Sequence, residues 1–199
     1  LQGRDTDGTP VVQTRDEADA NAPVKPFPDY EHLKRCAEVI FDGAAYPMLF
    51  FNKPRQVMMT WCALLAGPDW FCRFQPARLW LVSKSTEEEA KVLLSDKIKH
   101  VHIHLPPWVR EMLPLEARPA HRFKYPATGS QVWAVAENAA EREFRGNTAS
   151  GIVIDECAFQ EHFREMVAAA IPMDGRIIAL TTPNIGNDGA TYCKEILGL

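Results

Sequence analysis

The sequence predicts an α/β fold with a mainly parallel central sheet flanked by helices. Short apolar runs end in turn residues, segments of helical period lie between them, and the two kinds alternate. The runs are "YPMLFF" at 46–51, "RLWLVS" at 78–83, "GIVIDE" at 151–156 and "RIIALTT" at 176–182. With 199 residues, 46% of them hydrophobic, the chain can bury one substantial core.

Taken in order, residues 1–25 are polar, acidic and contain Pro and Gly, and are expected to form a flexible leader. Residues 26–199 form the predicted domain. A helix is predicted over 30–41, where Leu33, Cys36, Ala37 and Ile40 recur at helical spacing. The first strand follows, then the loop "NKPRQVMMT" and a helix starting at "TWCALLAG", which Gly67-Pro68 is expected to end. After "RLWLVS" comes a helix over "STEEEAKVLLSDKIKH", with Ser85 as the expected N-cap and acidic residues in its first turn. Residues 122–136 read as a hairpin turning near Thr128-Gly129-Ser130. The strand "GIVIDE" precedes a helix over "EHFREMVAAAI", and a last helix covers 190–197. The chain opens on Leu rather than Met and reads as a fragment or processed piece.

Composition narrows the function. No apolar run is long enough for a membrane span, and no secretory pattern opens the chain. The formal charge of −4 supplies no general basic face for a phosphate backbone. Cys36, Cys62, Cys72, Cys157 and Cys193 form no CxxC pair, which fits buried thiols in a reducing compartment. His100, His102 and His104 alternate as on a strand face, but they close a helical stretch and precede Pro106-Pro107. Packing or solvated-turn histidines fit better than zinc. Trp61, Trp80 and Trp133 fall in a predicted helix and strands, so packing suits them better than stacking on nucleic-acid bases.

In an open parallel sheet, ligands bind beyond the carboxyl ends of the strands. The first strand leads to Lys53 and the loop to Thr60, the third ends in Asp155-Glu156, and the fourth in Thr181-Thr182-Pro183-Asn184. Adjacent carboxylates on a strand point different ways, so they divide labour. Asp155 can hold Mg²⁺, directly or through water, while Glu156 polarises a water for in-line attack on a γ-phosphate. A strand ending in a solvated acidic turn fits the same residues. Thr60 offers a hydroxyl for Mg²⁺ at a helix start that attracts phosphate. Met58 and Met59, however, lack the close backbone approach of Gly and the charge of Lys. Lys53 and Arg55 are the nearby cations, and the loop alone also fits an ordinary strand–turn–helix connection.

Together these segments resemble the ATPase domain of the large terminase subunit, the DNA-packaging motor of tailed bacteriophages. The segment "PRQVMMT" is similar to the family loop "SRQLGKT", and "FRGNTASGIVIDECAF" to its Arg-Gly-Asn and Ile-Asp-Glu-Cys-Ala-Phe region. "ALTTPNIGNDGATY" resembles the coupling segment, "DYEHL" the upstream Asp-Tyr-Gln, and "TGSQVWAV" the hairpin before the Arg-Gly segment. The likeness runs over residues 28–196, with its motifs in the family's order. It implies a P-loop NTPase of the ASCE type that binds ATP and Mg²⁺. Met59 stands where the family has its loop lysine and Met58 where it has glycine. Some members carry the lysine at the loop's start, where Lys53 lies.

The resemblance further implies roles. Lys53 and Arg55 would neutralise the β- and γ-phosphates, cradled with Pro54, Gln56, Val57, Met58, Met59 and Thr60. Thr60 and Asp155 would hold Mg²⁺, and Glu156 would activate water. Thr181, Thr182 and Asn184 would sense the γ-phosphate. Tyr30 and Glu31 would meet the adenine, although Glu31 replaces a glutamine and cannot donate to a ring nitrogen. Arg142 or Arg145 would serve as an arginine finger toward a neighbouring subunit, or else as a surface arginine. The implied partners are double-stranded viral DNA, the portal protein, the small terminase subunit and copies of the chain in a ring, within the host cell cytoplasm and with no membrane. The family's nuclease domain and one further strand would follow residue 199, leaving a sheet edge open. A nucleotide-binding assembly module with little hydrolysis, and a helicase-like ATPase, are the rival readings.

Overall fold

The computed structural model describes residues 4, 7–8, 10–15, 21, 23–42, 47–54, 57–173, 175–184 and 186–198. Within the expected leader, β1 (Gln13–Arg15) pairs antiparallel with β2 (Val24–Pro26). Helix α1 (Glu31–Phe41) buries Leu33, Cys36 and Ile40, the stripe that its spacing predicts. Strand β3 (Met48–Asn52) leads through the loop to α2 (Met59–Leu64).

As expected, the helix breaks at Gly67-Pro68. A π-type segment, Leu65–Asp69, carries the chain across a kink at Gly67 (φ −87°, ψ −110°) into α3 (Trp70–Phe74). Proline costs a helix least at its first turn, and here it opens the resumed helix. The whole kink is buried.

Strand β4 (Leu79–Lys84) precedes α4 (Glu87–Leu93). Its N-cap is Thr86 rather than Ser85, because Thr86 forms a reciprocal capping box with Glu89. A second π-type stretch, Leu94–Lys99, joins α4 to α5 (His100–His104), and α6 (Pro107–Met112) follows. The three histidines therefore lie on a helix. The His104 Nδ1 sits 2.8 Å from the His100 carbonyl oxygen, while His102 contacts Arg73. Strands β5 (Arg122–Tyr125) and β6 (Ser130–Ala136) form the expected hairpin.

Helix α7 (Glu137–Asn147) has no counterpart among the expected elements. It buries only Ala140 and Phe144, too few apolar positions to mark a helical face in a charged segment. Strand β7 (Gly151–Asp155) is followed by a 3₁₀ turn, Cys157–Phe159, and α8 (Phe163–Ala170). Strand β8 (Arg176–Thr181) leads to α9 (Asp188–Leu197), which starts two residues earlier than expected because Asn187 caps it.

The six-stranded sheet has the order β3-β8-β7-β4-β6-β5. Every pairing is parallel except β5 with β6. Its central strands are buried on both faces, which is why their sequences are continuously apolar. Trp80, Val82, Val153, Ile178 and Leu180 face the side of α1 and α2. Leu81, Ile152, Ile154, Ile177 and Ala179 face the side of α7, α8 and α9. Gly151 permits this layering, since a Cβ there would lie 2.7 Å from the Trp80 ring and 2.9 Å from the Arg176 carbonyl oxygen. Among the described residues, no helix is long and apolar enough to cross a membrane.

Candidate active site

The parallel register brings the ends of four strands side by side. Asn52 of β3 is level with Thr181 of β8, Asp155 of β7 with Leu180, and Ser83 of β4 with Ile154. The first residue after β3 is tied to β8 as well, because the Lys53 N–H donates to the Thr181 carbonyl at 2.9 Å. Residues separated by more than a hundred positions thus meet at one sheet end, where open α/β sheets hold their ligands.

At its centre, the Thr60 hydroxyl donates to Asp155 Oδ1 at 3.0 Å. Asp155 is 4% exposed, and burial pushes its carboxyl above the usual carboxylate range. The Lys53 ammonium is the largest influence pulling the other way, followed by the Thr60 hydrogen bond, while Glu156 adds to the upward push. The structure therefore joins Thr60, Asp155 and Lys53 in one electrostatic neighbourhood. A hydroxyl and a carboxylate are the hard oxygen donors that Mg²⁺ takes, and a buried carboxylate gains from added positive charge. The residues fit that ion.

Glu156 turns away from Asp155 because its backbone is left-handed (φ 58°, ψ 41°). Such a conformation costs a non-glycine residue about 1–3 kcal/mol and concentrates at functional sites. Its carboxylate meets a residue that sequence reasoning missed: Lys84 Nζ lies 3.1 Å from Glu156 Oε2. Half-burial opposes the Lys84 charge, but the hydrogen bond to Glu156, with Asp155 and Glu89 nearby, raises its pKa overall. The available signal was position. Lys84 is the last residue of β4, one beyond the predicted strand end.

The phosphate-loop candidates are arranged as follows. Lys53, Pro54, Val57 and Met59 line a cleft of about 510 Å³ with residues of α1, including His32 and Arg35. Tyr30 and Glu31 line an adjoining cleft of about 730 Å³ with Asp29, His32 and Arg35. His32 Nε2 lies 3.2 Å from the Val57 carbonyl oxygen and joins the two. Neither cleft is lined by Thr60, Asp155 or Glu156. Arg55 and Gln56 lie outside the described residues. Met58 is left-handed (φ 60°, ψ 11°) at the N-cap of α2, the backbone state for which glycine is suited. Met59 is buried in the core cluster.

That geometry gives a prediction free of side-chain packing effects. Met58→Gly and Met58→Ala both remove the half-buried thioether, yet the glycine variant is expected to be more stable by about 1 kcal/mol. Urea denaturation of the two variants measures the difference, and an alanine variant of equal or greater stability refutes the strain assignment.

The coupling segment fastens to the acidic turn. The Ala158 N–H donates to Thr181 Oγ1 at 3.2 Å, and Asn184 Nδ2 donates to the Ala158 carbonyl at 3.0 Å. Thr182 accepts from the Thr181 hydroxyl through its carbonyl. Arg142 and Arg145 are exposed on α7, where they pair with Glu143 and Glu141. Arg145 is near the end of a helix that returns the chain to the start of β7, away from Asp155.

No family model matches the sequence, and no curated protein matches it. Among solved structures, it is similar to the large terminase ATPase domain of Thermus phage P74-26, with 13% identity and a TM-score of 0.60. That match covers 84% of this chain and 69% of the other. The large terminase of bacteriophage HK97 matches with 14% identity and a TM-score of 0.64, over 87% of this chain and 37% of that one. A large terminase from a thermophilic bacteriophage matches with 10% identity and a TM-score of 0.53, over 79% of this chain and 40% of that one.

The chain is therefore an α/β domain with a six-stranded, mostly parallel central sheet. Its fold is similar to the one seen in the ATPase domain of phage large terminases.

Proposed function

We propose that this chain hydrolyses ATP as the motor domain of a terminase large subunit, driving double-stranded viral DNA into a procapsid. The observation that carries the reading is the Thr60–Asp155 hydrogen bond beside Lys53, which unites the loop and the acidic strand end in one partly buried corner. Mg²⁺, when bound by Thr60 and Asp155, supplies positive charge to the β- and γ-phosphates. Lys53 and Arg55 add cations, backbone amides of residues 56–60 cradle the phosphates beside Pro54, and Tyr30 and Glu31 face the base. Glu156 orients and deprotonates the attacking water.

Thr182 and Asn184, with Thr181, transmit the state of that corner through the bonds to Ala158. Arg142 or Arg145 reaches a neighbouring subunit in a homo-oligomeric ring. The portal protein, the small terminase subunit and viral duplex DNA complete the assembly, in the host cytoplasm. One observation favours an assembly module with little intrinsic hydrolysis: Lys84 occupies Glu156. Hydrolysis then depends on a partner or DNA that releases the glutamate.

Phosphate release from ATP by the wild-type chain, with Mg²⁺ and with and without duplex DNA, tests the reading. Asp155→Asn is expected to lower turnover by about a hundredfold and to weaken Mg²⁺ dependence, because the metal loses its charged ligand. Calorimetric binding of ATP–Mg with no phosphate release under either condition selects the assembly module. Strand displacement on a forked duplex selects a helicase-like enzyme.

A further inference from the structure

We infer that Gln160 is a positioning residue that sets the backbone of Glu156. Its side chain is fully buried and spans the gap between β4 and the end of β7. Gln160 Nε2 donates to the Asp155 carbonyl at 2.6 Å, and Gln160 Oε1 accepts from the Ser83 hydroxyl at 3.3 Å. A carbonyl only accepts, so the amide has one orientation that serves both partners. Asp155 is the last residue of β7, and Gln160 satisfies its carbonyl where the strand stops.

With that carbonyl held, the chain leaves the sheet through a left-handed Glu156 and enters the turn Cys157–Phe159. The turn is tied down beyond Glu156 by Thr181 and Asn184, as described above. Helix α9 seals it from the far side, since a Cβ on Gly189 would stand 2.2 Å from the Gln160 carbonyl oxygen and 2.7 Å from that of Cys157. Gln160 holds the backbone carbonyl of the residue before Glu156, and its other partner, Ser83, precedes the Lys84 that meets the Glu156 carboxylate. It therefore fixes both the direction of the glutamate and the position of its ion-pair partner.

The kinetic half of this inference rests on the ATPase reading; the conformational half does not. Gln160→Met keeps the volume and removes the amide. It is expected to lower kcat for ATP by about tenfold with KM changed less than twofold, since the residue touches no substrate.

Stability supplies the independent readout. If Gln160 imposes the left-handed state, Glu156→Gly melts about 2–4 °C above Glu156→Ala in an otherwise wild-type chain. Both variants lose the carboxylate and its contact with Lys84, so the gap reports the backbone alone. In the Gln160→Met background the gap is expected to disappear, as a double-mutant cycle measures. Ser83→Ala, a milder change, should narrow it. A gap that persists in both backgrounds overturns the proposal whatever happens to turnover. A wild-type chain that never hydrolyses ATP rejects the enzymatic reading and leaves the melting test fully decisive.

Discussion

Replacing Glu156 with glutamine is expected to reduce ATP turnover by at least about a hundredfold while ATP–Mg²⁺ still binds. The substitution keeps size and shape but removes the basic oxygen to which the proposed mechanism assigns the water's proton. Binding survives because the candidate phosphate and metal contacts lie elsewhere, on Lys53, Thr60 and Asp155. Single-turnover phosphate release, paired with calorimetric titration of ATP–Mg²⁺, separates the two effects. Unchanged turnover removes Glu156 from the mechanism.

The lysine contact sharpens this expectation. Lys84 Nζ is 3.1 Å from Glu156 Oε2, with side chains 20% and 45% exposed. A pair this open is weakly held and screened, so a competing phosphate or a moving neighbour can separate it. The carboxylate is thus parked within reach of the site but engaged by a cation. Glutamine cannot form that ion pair, so Glu156→Gln also frees Lys84, and the variant should show no gain in turnover from adding DNA.

The sheet was legible because its central strands are buried on both sides. Trp80, Val82, Val153 and Ile178 face one layer while Leu81, Ile152, Ile154 and Ile177 face the other, leaving no polar alternation to confuse the reading. The acidic pair and Thr60 were legible for a related reason, since parallel strands deliver their carboxyl ends to a common edge.

What sequence could not show depends on contacts between remote segments. Helix α7 is polar over most of its surface and is held by burying Ala140 and Phe144 against neighbours. Lys84 is an ordinary lysine until β4 and β7 are laid in register. Gln160 is likewise silent until its amide finds Asp155 and Ser83, five and seventy-seven positions away.

Removing the Lys53 side chain is the second large effect expected. Lys53→Ala should lower turnover by at least about a hundredfold and also weaken ATP binding, unlike Glu156→Gln. Two physical consequences combine. The loop loses the cation at its entrance, and Met58 and Met59 supply none. Asp155 also loses the strongest influence opposing its burial, so its carboxyl is pushed still higher and its ionised, metal-binding form becomes harder to reach. The defect should therefore be partly relieved at higher Mg²⁺ and at higher pH, where the carboxylate is restored, but not removed, because the phosphate charge stays uncompensated. Lys53→Arg, which keeps the charge, should retain measurable turnover. The fold itself should persist, since the tie from residue 53 to β8 is made by a backbone N–H to the Thr181 carbonyl. A melting temperature near the wild-type value, with activity lost, is the expected pair of results. Wild-type turnover by Lys53→Ala would instead move the phosphate-neutralising charge to Arg55 or Lys84 and leave the loop's entrance without a chemical role.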